Sequence, residues 1–391
     1  MDPHRPLDHS APTRSPYVTV APSASRAAEI LSRPVSLNGL TVPNRIAMAP
    51  MTRQFSPGGV PGEDVASYYA RRAAAGVGLI VTEGTYVGHE SAGQSDNIPR
   101  FHGAEQLAGW AKVAEAVHAA GGKIVPQLWH IGSVRRAGEP PFADAPSVSP
   151  SGIHTEGAKV TGRAMTQQDL DDVIQAFAEA AAAAERIGFD GVELHGAHGY
   201  LIDQFLWAGT NRRTDAYGGD LVARTQFAAE IVAAVRAAVS PTFPIIFRFS
   251  QWKQQAYEAR LAETPEELEA LLAPLVAAGV DAFHASTRRY WRPEFDGSDL
   301  NLAGWTKKLT GKPVITVGSV GLDGDFLKGL QGEGAPARGI DDLLDRLESD
   351  EFDMVAVGRA LLQDPQWAAK VLDGRFAELA AYDAAALGSL S

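Results

Sequence analysis

The chain has 391 residues, 45% of them hydrophobic and 21% charged, with a formal net charge of −12 and no cysteine. A large core is within reach, while the acidic balance and the lack of a dense Lys/Arg block argue against nucleic acid or an anionic membrane as partner. The missing thiols remove disulfides, thiolate nucleophiles, zinc–thiolate centres and cysteine-ligated iron–sulfur clusters together, and no apolar run is long enough to span a bilayer.

Residues 1–28 are rich in Pro, Ser, Ala and His and lack hydrophobic periodicity, which predicts a disordered or loosely attached tail. From His9 to Ala28 there are two arginines and no acid, but Pro12, Pro16 and Pro22 break the amphipathic helix a targeting peptide needs. The cytoplasm is the expected compartment. The stretch from Val35 to Val42 alternates about Asn38-Gly39, a strong hairpin signal.

From there short runs rich in β-branched residues alternate with Ala/Glu/Arg-rich stretches of helical spacing. Strands are predicted over residues 45–49, 78–82, 123–129, 189–195, 244–249, 280–286, 313–318 and 352–358. Helices are predicted over 64–75, 104–120, 168–187, 221–239, 265–278, 299–309, 340–349 and 361–372. Thr166 and Thr264 are N-cap residues ahead of acidic first turns, Pro265 suits a first helical position, and Gly76, Gly121, Gly188 and Gly279 stand where helices close.

Repeated strand–helix units imply parallel strands with right-handed crossovers. Eight of them predict a single (β/α)8 TIM barrel over residues 29–375, with the N-terminal hairpin closing its bottom and a C-terminal tail over 376–391. A doubly wound open sheet would carry a Gly-rich phosphate fingerprint after its first strand; Pro50-Met51-Thr52-Arg53 stands there instead.

Active sites of such barrels lie at the C-terminal ends of the strands. That rule selects Pro50–Thr52, Glu83, Gly84, Gln127–His130, His195–Tyr200, Arg248, Ser286–Trp291, Gly318, Ser319, Gly358 and Arg359. No carboxylates cluster there, so glycoside hydrolysis is disfavoured. Gly318-Ser319 and Gly358-Arg359 end adjacent strands, where backbone N–H groups and a guanidinium make a phosphate site. In His195-Gly-Ala-His198-Gly-Tyr200 the two histidines lack the partnering Glu of a zinc motif, and no metal is expected. Two imidazoles can instead donate to one oxygen that gains charge, with Tyr200 as general acid. Gln127 and Trp129 share one face of their strand, and Arg248 ends an otherwise apolar one.

At these residues the chain resembles the Old Yellow Enzyme family over about residues 30–370. The matching motifs are Asn44 to Arg53, Gln127-Leu-Trp129-His130, and His195 through Leu206 continuing from Asn211 to Gly219. The resemblance implies non-covalent FMN, with NADPH or NADH as reductant of an activated alkene by ping-pong hydride transfer. Pro50, Met51, Thr52, Gly84, Gln127 and Arg248 would then meet the flavin ring, and Gly318, Ser319, Gly358 and Arg359 its phosphate. His195 and His198 would grip a carbonyl or nitro oxygen, Tyr200 would protonate Cα, and Trp129 would shape the substrate pocket. Tyr290 and Trp291, in the basic, aromatic loop from Ser286 to Pro293, are further expected substrate contacts.

Several features depart from the best-known members. That loop is one, Gln251-Trp252-Lys253-Gln254 is another, and Thr52 stands where a subgroup carries Cys. Two alternatives remain open: an amine or N-methyl dehydrogenase or demethylase on the same barrel, and a flavin-binding protein without turnover. Flavin binding alone needs neither the histidines nor Tyr200. A monomer or homodimer is expected.

Overall fold

In the computed structural model of the chain, residues 24–324, 328 and 332–391 are described. Of the expected N-terminal tail, residues 1–23 lie outside the described residues. Its remaining stretch belongs to helix α1 (Ala24–Leu31), which buries Ala27, Ile30 and Leu31 and ties Arg26 to Asp345 and Glu348. Packing on the barrel thus begins before residue 29.

Strands β1 (Val35–Leu37) and β2 (Leu40–Val42) form the expected antiparallel hairpin, with Asn38 at φ 51° in its turn. The next strands are β3 (Ile46–Met48), β4 (Leu79–Tyr86), β5 (Lys123–Trp129), the short pair β6 (Val148–Ser149) and β7 (Arg163–Ala164), and β8 (Val192–His198). They are followed by β9 (Ile245–Lys253), β10 (Ala282–Ser286), β11 (Val314–Val317) and β12 (Met354–Val357). All but β1, β2, β6 and β7 close into a parallel barrel in the order β3-β4-β5-β8-β9-β10-β11-β12.

The outer helices are α2 (Glu63–Ala74), α3 (Ala104–Ala119), α4 (Gln167–Arg186), α6 (Leu221–Ala238), α7 (Pro265–Ala278), α8 (Leu302–Thr310) and α9 (Asp341–Glu348). A short helix α5 (Leu201–Leu206) interrupts the loop after β8, and α10 (Arg359–Gln363) and α11 (Trp367–Leu372) follow β12. Local chemistry sets their ends. Thr166 and Asp169 form a capping box on α4, and the Thr264 side chain accepts from Glu267 N on α7. Helix α8 begins three residues later than predicted because Asn301 caps it, accepting from Gly304 N at 2.8 Å. The single helix predicted over 361–372 is two, divided at Asp364-Pro365, where proline has no N–H to continue the ladder.

Period-two alternation divides the core. Ile124, Leu128, Leu194, Phe247 and Phe283 point outward into the helix layer. Val125, Ile246, Ala282, Ile315 and Met354 point inward and meet Leu37, Leu40 and Val42 of the hairpin. The hairpin therefore plugs the N-terminal mouth, and each of its fully buried side chains, Leu37 and Val42, contributes roughly 1.5–3 kcal/mol. Above this apolar plug the inward positions turn polar. That change of layer places the site at the opposite mouth.

Residues 376–391, predicted as a tail, pack over that mouth. Tyr382 exchanges backbone bonds with Ala335 at 2.8 and 3.0 Å, and the Arg53 guanidinium takes the carbonyls of Ala386, Leu387 and Ser389.

Candidate active site

The floor of the site is a layer of four inward side chains from adjacent strands: Gln127 on β5, Glu193 on β8, Arg248 on β9 and His284 on β10. Glu193 Oε1 accepts from Gln127 Nε2 at 2.8 Å, and Oε2 lies 2.6 Å from His284 Nδ1. Burial pushes the Glu193 carboxyl up, but His284 and Arg248 beside it more than reverse this, so it stays ionised. Arg248 is its buried counter-charge. The guanidinium Nε and the Trp129 Nε1 are buried without a protein partner.

Above the floor opens a cavity of ≈330 Å³, in the roughly 300–1,000 Å³ range of small-molecule sites. Pro50, Met51, Thr52, Gln127, Trp129, His195, His198, Tyr200, Arg248, Gly318, Ser319, Gly358 and Arg359 all line it. The loop carrying Pro50 to Arg53 is held from below by Glu83, whose buried Oε2 accepts from Arg53 N at 2.8 Å and Gln54 N at 3.2 Å. Ser319 sits at φ 52°, a conformation L side chains rarely adopt, and Arg359 donates to Gly324 O at 2.8 Å beside it.

A regular strand would send residues three apart to opposite faces. Here the β8–β9 register breaks: Gly196 pairs with Phe249, and pairing resumes at His198 with Lys253, so one residue of β8 spans three of β9. His198 takes φ 66° and swings beside His195, ring centroids 5.2 Å apart at 87°. Tyr200 lies edge-on to His195 at 5.1 Å and to Trp129 at 4.8 Å, while Trp129 stacks along His195 at 6.0 Å. Burial holds both imidazoles well below the usual value, reinforced by Arg248, so both are neutral at pH 7. Ala197 N donates to His195 Nδ1 at 3.4 Å, which leaves the proton on Nε2. Burial raises the Tyr200 phenol, and it stays protonated.

The NADH:flavin oxidoreductase / NADH oxidase family matches residues 31–335. The chain belongs to that family. It is 35% identical over 356 residues to an NADH oxidase of Thermoanaerobacter brockii, covering 88% of this chain and 50% of that protein. It is 38% identical over 222 residues to 12-oxophytodienoate reductase 7 of Oryza sativa subsp. japonica, covering 54% of this chain and 55% of that one. The chain thus spans about half the length of these two curated relatives. Among solved structures, morphinone reductase in complex with tetrahydroNAD superposes with a TM-score of 0.71 at 30% identity, over 87% of this chain and 90% of that chain. The Old Yellow Enzyme resemblance read from the motifs holds.

The matched family is one of NADH:flavin oxidoreductases with FMN as cofactor, and the residues of this chain fit that cofactor. Gln127 spends its Nε2 on Glu193, which leaves its Oε1 as an acceptor toward the cavity, and Arg248 Nε has no protein acceptor. An acceptor beside an unmatched guanidinium donor suits the N–H and carbonyl edge of a flavin ring.

Three of the expected contacts fall elsewhere. Gly84 does not line the cavity; a Cβ there would stand 2.5 Å from the Trp129 ring, so glycine makes room for the indole. Tyr290 is fully buried, its hydroxyl donating to Asp342 and its N–H to Gly318 O. Trp291 stacks under the Arg338 guanidinium, 3.7 Å from the ring centroid. Both are turned outward from the mouth by the tight contact of their loop with β11, where a Cβ on Gly318 would meet Thr287 O at 2.7 Å. Ser286, Thr287 and Arg288 of the same loop do line the cavity, with Trp252 and Gln254 after β9. Tyr382 and Leu387, which no motif marks in the sequence, close another wall. Among the described residues no group of three His, Cys, Asp or Glu is arranged to hold a metal, and no helix is long and apolar enough to cross a membrane.

The buried ionisable groups of this family member make its stability acid-sensitive. His130, His195 and His198 are held well below the imidazole value, first by burial. Below about pH 6.5 the unfolded chain takes up protons on these rings and the folded chain does not, so stability present above that pH is lost as it falls. Glu83 and Asp203 act oppositely, because burial lifts them to about 7 and about 6. His89, His102 and His284 are lowered by burial too, while Glu294 and Asp341 join the raised carboxyls, so the lowered imidazoles outnumber the raised acids and the net effect is a loss of stability as the pH falls. The melting temperature of the holoprotein is therefore expected to fall from pH 6.5 to pH 5; a rise over that range would refute the assignment.

Proposed function

We propose that the protein is an ene-reductase that uses NAD(P)H to reduce the C=C bond of α,β-unsaturated carbonyl compounds or nitroalkenes, the two substrates taking turns at one mouth. The observation that carries this reading is the convergence of two neutral imidazoles and one phenol on a single wall of the cavity. Bound FMN supplies the hydride relay between nicotinamide and alkene.

The chain's own residues do the rest. His195 and His198 hold the carbonyl or nitro oxygen, and donors fixed in advance stabilise the charge that grows there without reorganisation. The same two contacts orient the double bond. Tyr200, protonated and adjacent, delivers its proton at Cα. Trp129 walls the substrate side. Pro50, Met51, Thr52, Gln127 and Arg248 would hold the flavin ring, and Gly318, Ser319, Gly358 and Arg359 its phosphate. Further support comes from relatives named as reductases of 12-oxophytodienoate and of morphinone, the latter with a bound nicotinamide analogue.

Anaerobic mixing tests the reading: NADPH or NADH bleaches the flavin, and cyclohexenone restores the colour. Bleaching by an N-methyl amino acid, with no response to either nicotinamide, would overturn it in favour of an amine dehydrogenase.

A further inference from the structure

His198 faces Ser286, a strand-end residue to which no motif gives a role. Ser286 ends β10, is 3% exposed, and places its Oγ 2.8 Å from His198 Nε2 and 3.4 Å from Arg248 Nη2. Among the described residues its hydroxyl makes no other hydrogen bond. A guanidinium only donates, so it engages a lone pair of the Ser286 oxygen. The single hydroxyl hydrogen then has one acceptor in reach, His198 Nε2. A ring nitrogen that accepts carries no proton, so the proton of the neutral ring sits on Nδ1. The opposite tautomer would make Ser286 Oγ accept twice and leave its own hydrogen without an acceptor among the described residues.

The geometry assigns Ser286 as a positioning residue that locks His198 in its Nδ1–H tautomer, through a directional chain from Arg248 to Ser286 to His198. His195 is locked in the other tautomer by the Ala197 N–H. Two histidines held by different partners in opposite tautomers thus present one N–H each. If His198 flipped, it would show a lone pair to the substrate oxygen, and one attraction would become a repulsion. The depressed imidazole pKa values agree, since only neutral rings have a tautomer to select. The chain also links the guanidinium on the cavity floor to the imidazole on its substrate wall.

The assignment rests on the oxygen-holding role of His198 for its consequence, but not for its direct readout. In the holoenzyme with ring-15N histidine, the His198 signals are expected to show a protonated Nδ1 and a bare Nε2. Ser286→Ala should shift them toward protonated Nε2, and Ser286→Thr, which keeps the hydroxyl, should restore them. Binding of p-hydroxybenzaldehyde, read from its charge-transfer absorbance with the flavin, should weaken about tenfold in Ser286→Ala and recover in Ser286→Thr. A protonated Nε2 in the unaltered protein, or a protonated Nδ1 that persists in Ser286→Ala, would overturn the proposal. The expected tautomers without any phenol binding would uphold it and remove the oxygen-holding reading instead. An unchanged flavin spectrum and melting temperature in both variants verify that the fold is intact.

Discussion

Replacing Tyr200 with Phe is expected to slow alkene reduction by about 10²–10⁴-fold, the usual worth of a general acid, while flavin reduction by NAD(P)H proceeds nearly unchanged. The ring's packing survives the change, since its edge contacts to Trp129 at 4.8 Å and His195 at 5.1 Å involve no hydroxyl. Only the O–H is lost. Gln254 Nε2 donates to that oxygen at 3.2 Å, which leaves the phenolic hydrogen free to point into the cavity. As the proton departs, the same amide faces a phenolate, and a hydrogen bond to an ion is about twice as strong as one between neutral groups. Burial raises the phenol's pKa, and Gln254 and Arg248 draw it part of the way back. A group so placed is protonated at neutral pH yet able to give its proton up. Stopped-flow measurement of the two half-reactions separately decides the matter. Equal losses in both would make Tyr200 a packing residue.

The parts of this site legible in the sequence are those carried by period and by motif. Eight apolar runs alternating with helical stretches dictate the barrel, and its strand ends pick out His195, Arg248 and Gly318. What stayed hidden depends on departures from period. The irregular register between β8 and β9 sets His198 beside His195, and no residue pattern announces it. Tyr290 and Trp291 looked like pocket residues because aromatic side chains in a strand-end loop suit substrates. Their direction is set instead by the contact of that loop with Gly318 and by Asp342, a residue on α9 far along the chain. Tyr382 and Leu387 belong to a segment without hydrophobic period, held in place by the Arg53 guanidinium and by backbone pairing with Ala335. Such contacts are made across the fold and leave no local mark. Glu83 and Ser286 are intermediate cases: both were picked out as strand-end positions, but their roles lie in what they hold, the backbone after β3 and the tautomer of His198.

Lys253→Met is expected to destabilise the protein by about 3–5 kcal/mol, the cost of leaving a buried charge without its partner. Lys253 and Asp203 are both fully buried, with Nζ 2.7 Å from Oδ1. The second carboxylate oxygen accepts from Gly199 N at 2.6 Å, so the pair props the corner between His198 and Tyr200 from behind. Burial outweighs attraction for each partner: Asp203 is lifted to about 6 despite Lys253, and Lys253 is lowered despite Asp203. Such a pair adds little net stability against neutral residues of the same shape, yet is costly to break from one side. The sign of the double variant follows. Lys253→Met with Asp203→Asn removes both charges and keeps an amide oxygen to accept the Gly199 N–H. It should therefore melt well above Lys253→Met alone. Denaturant unfolding of the two single variants and the double measures the coupling directly. Losses that simply add would show that the two charges do not depend on each other. Because the corner carries Tyr200, the single variant should also slow the alkene half-reaction more than flavin reduction, and the double should recover part of that difference.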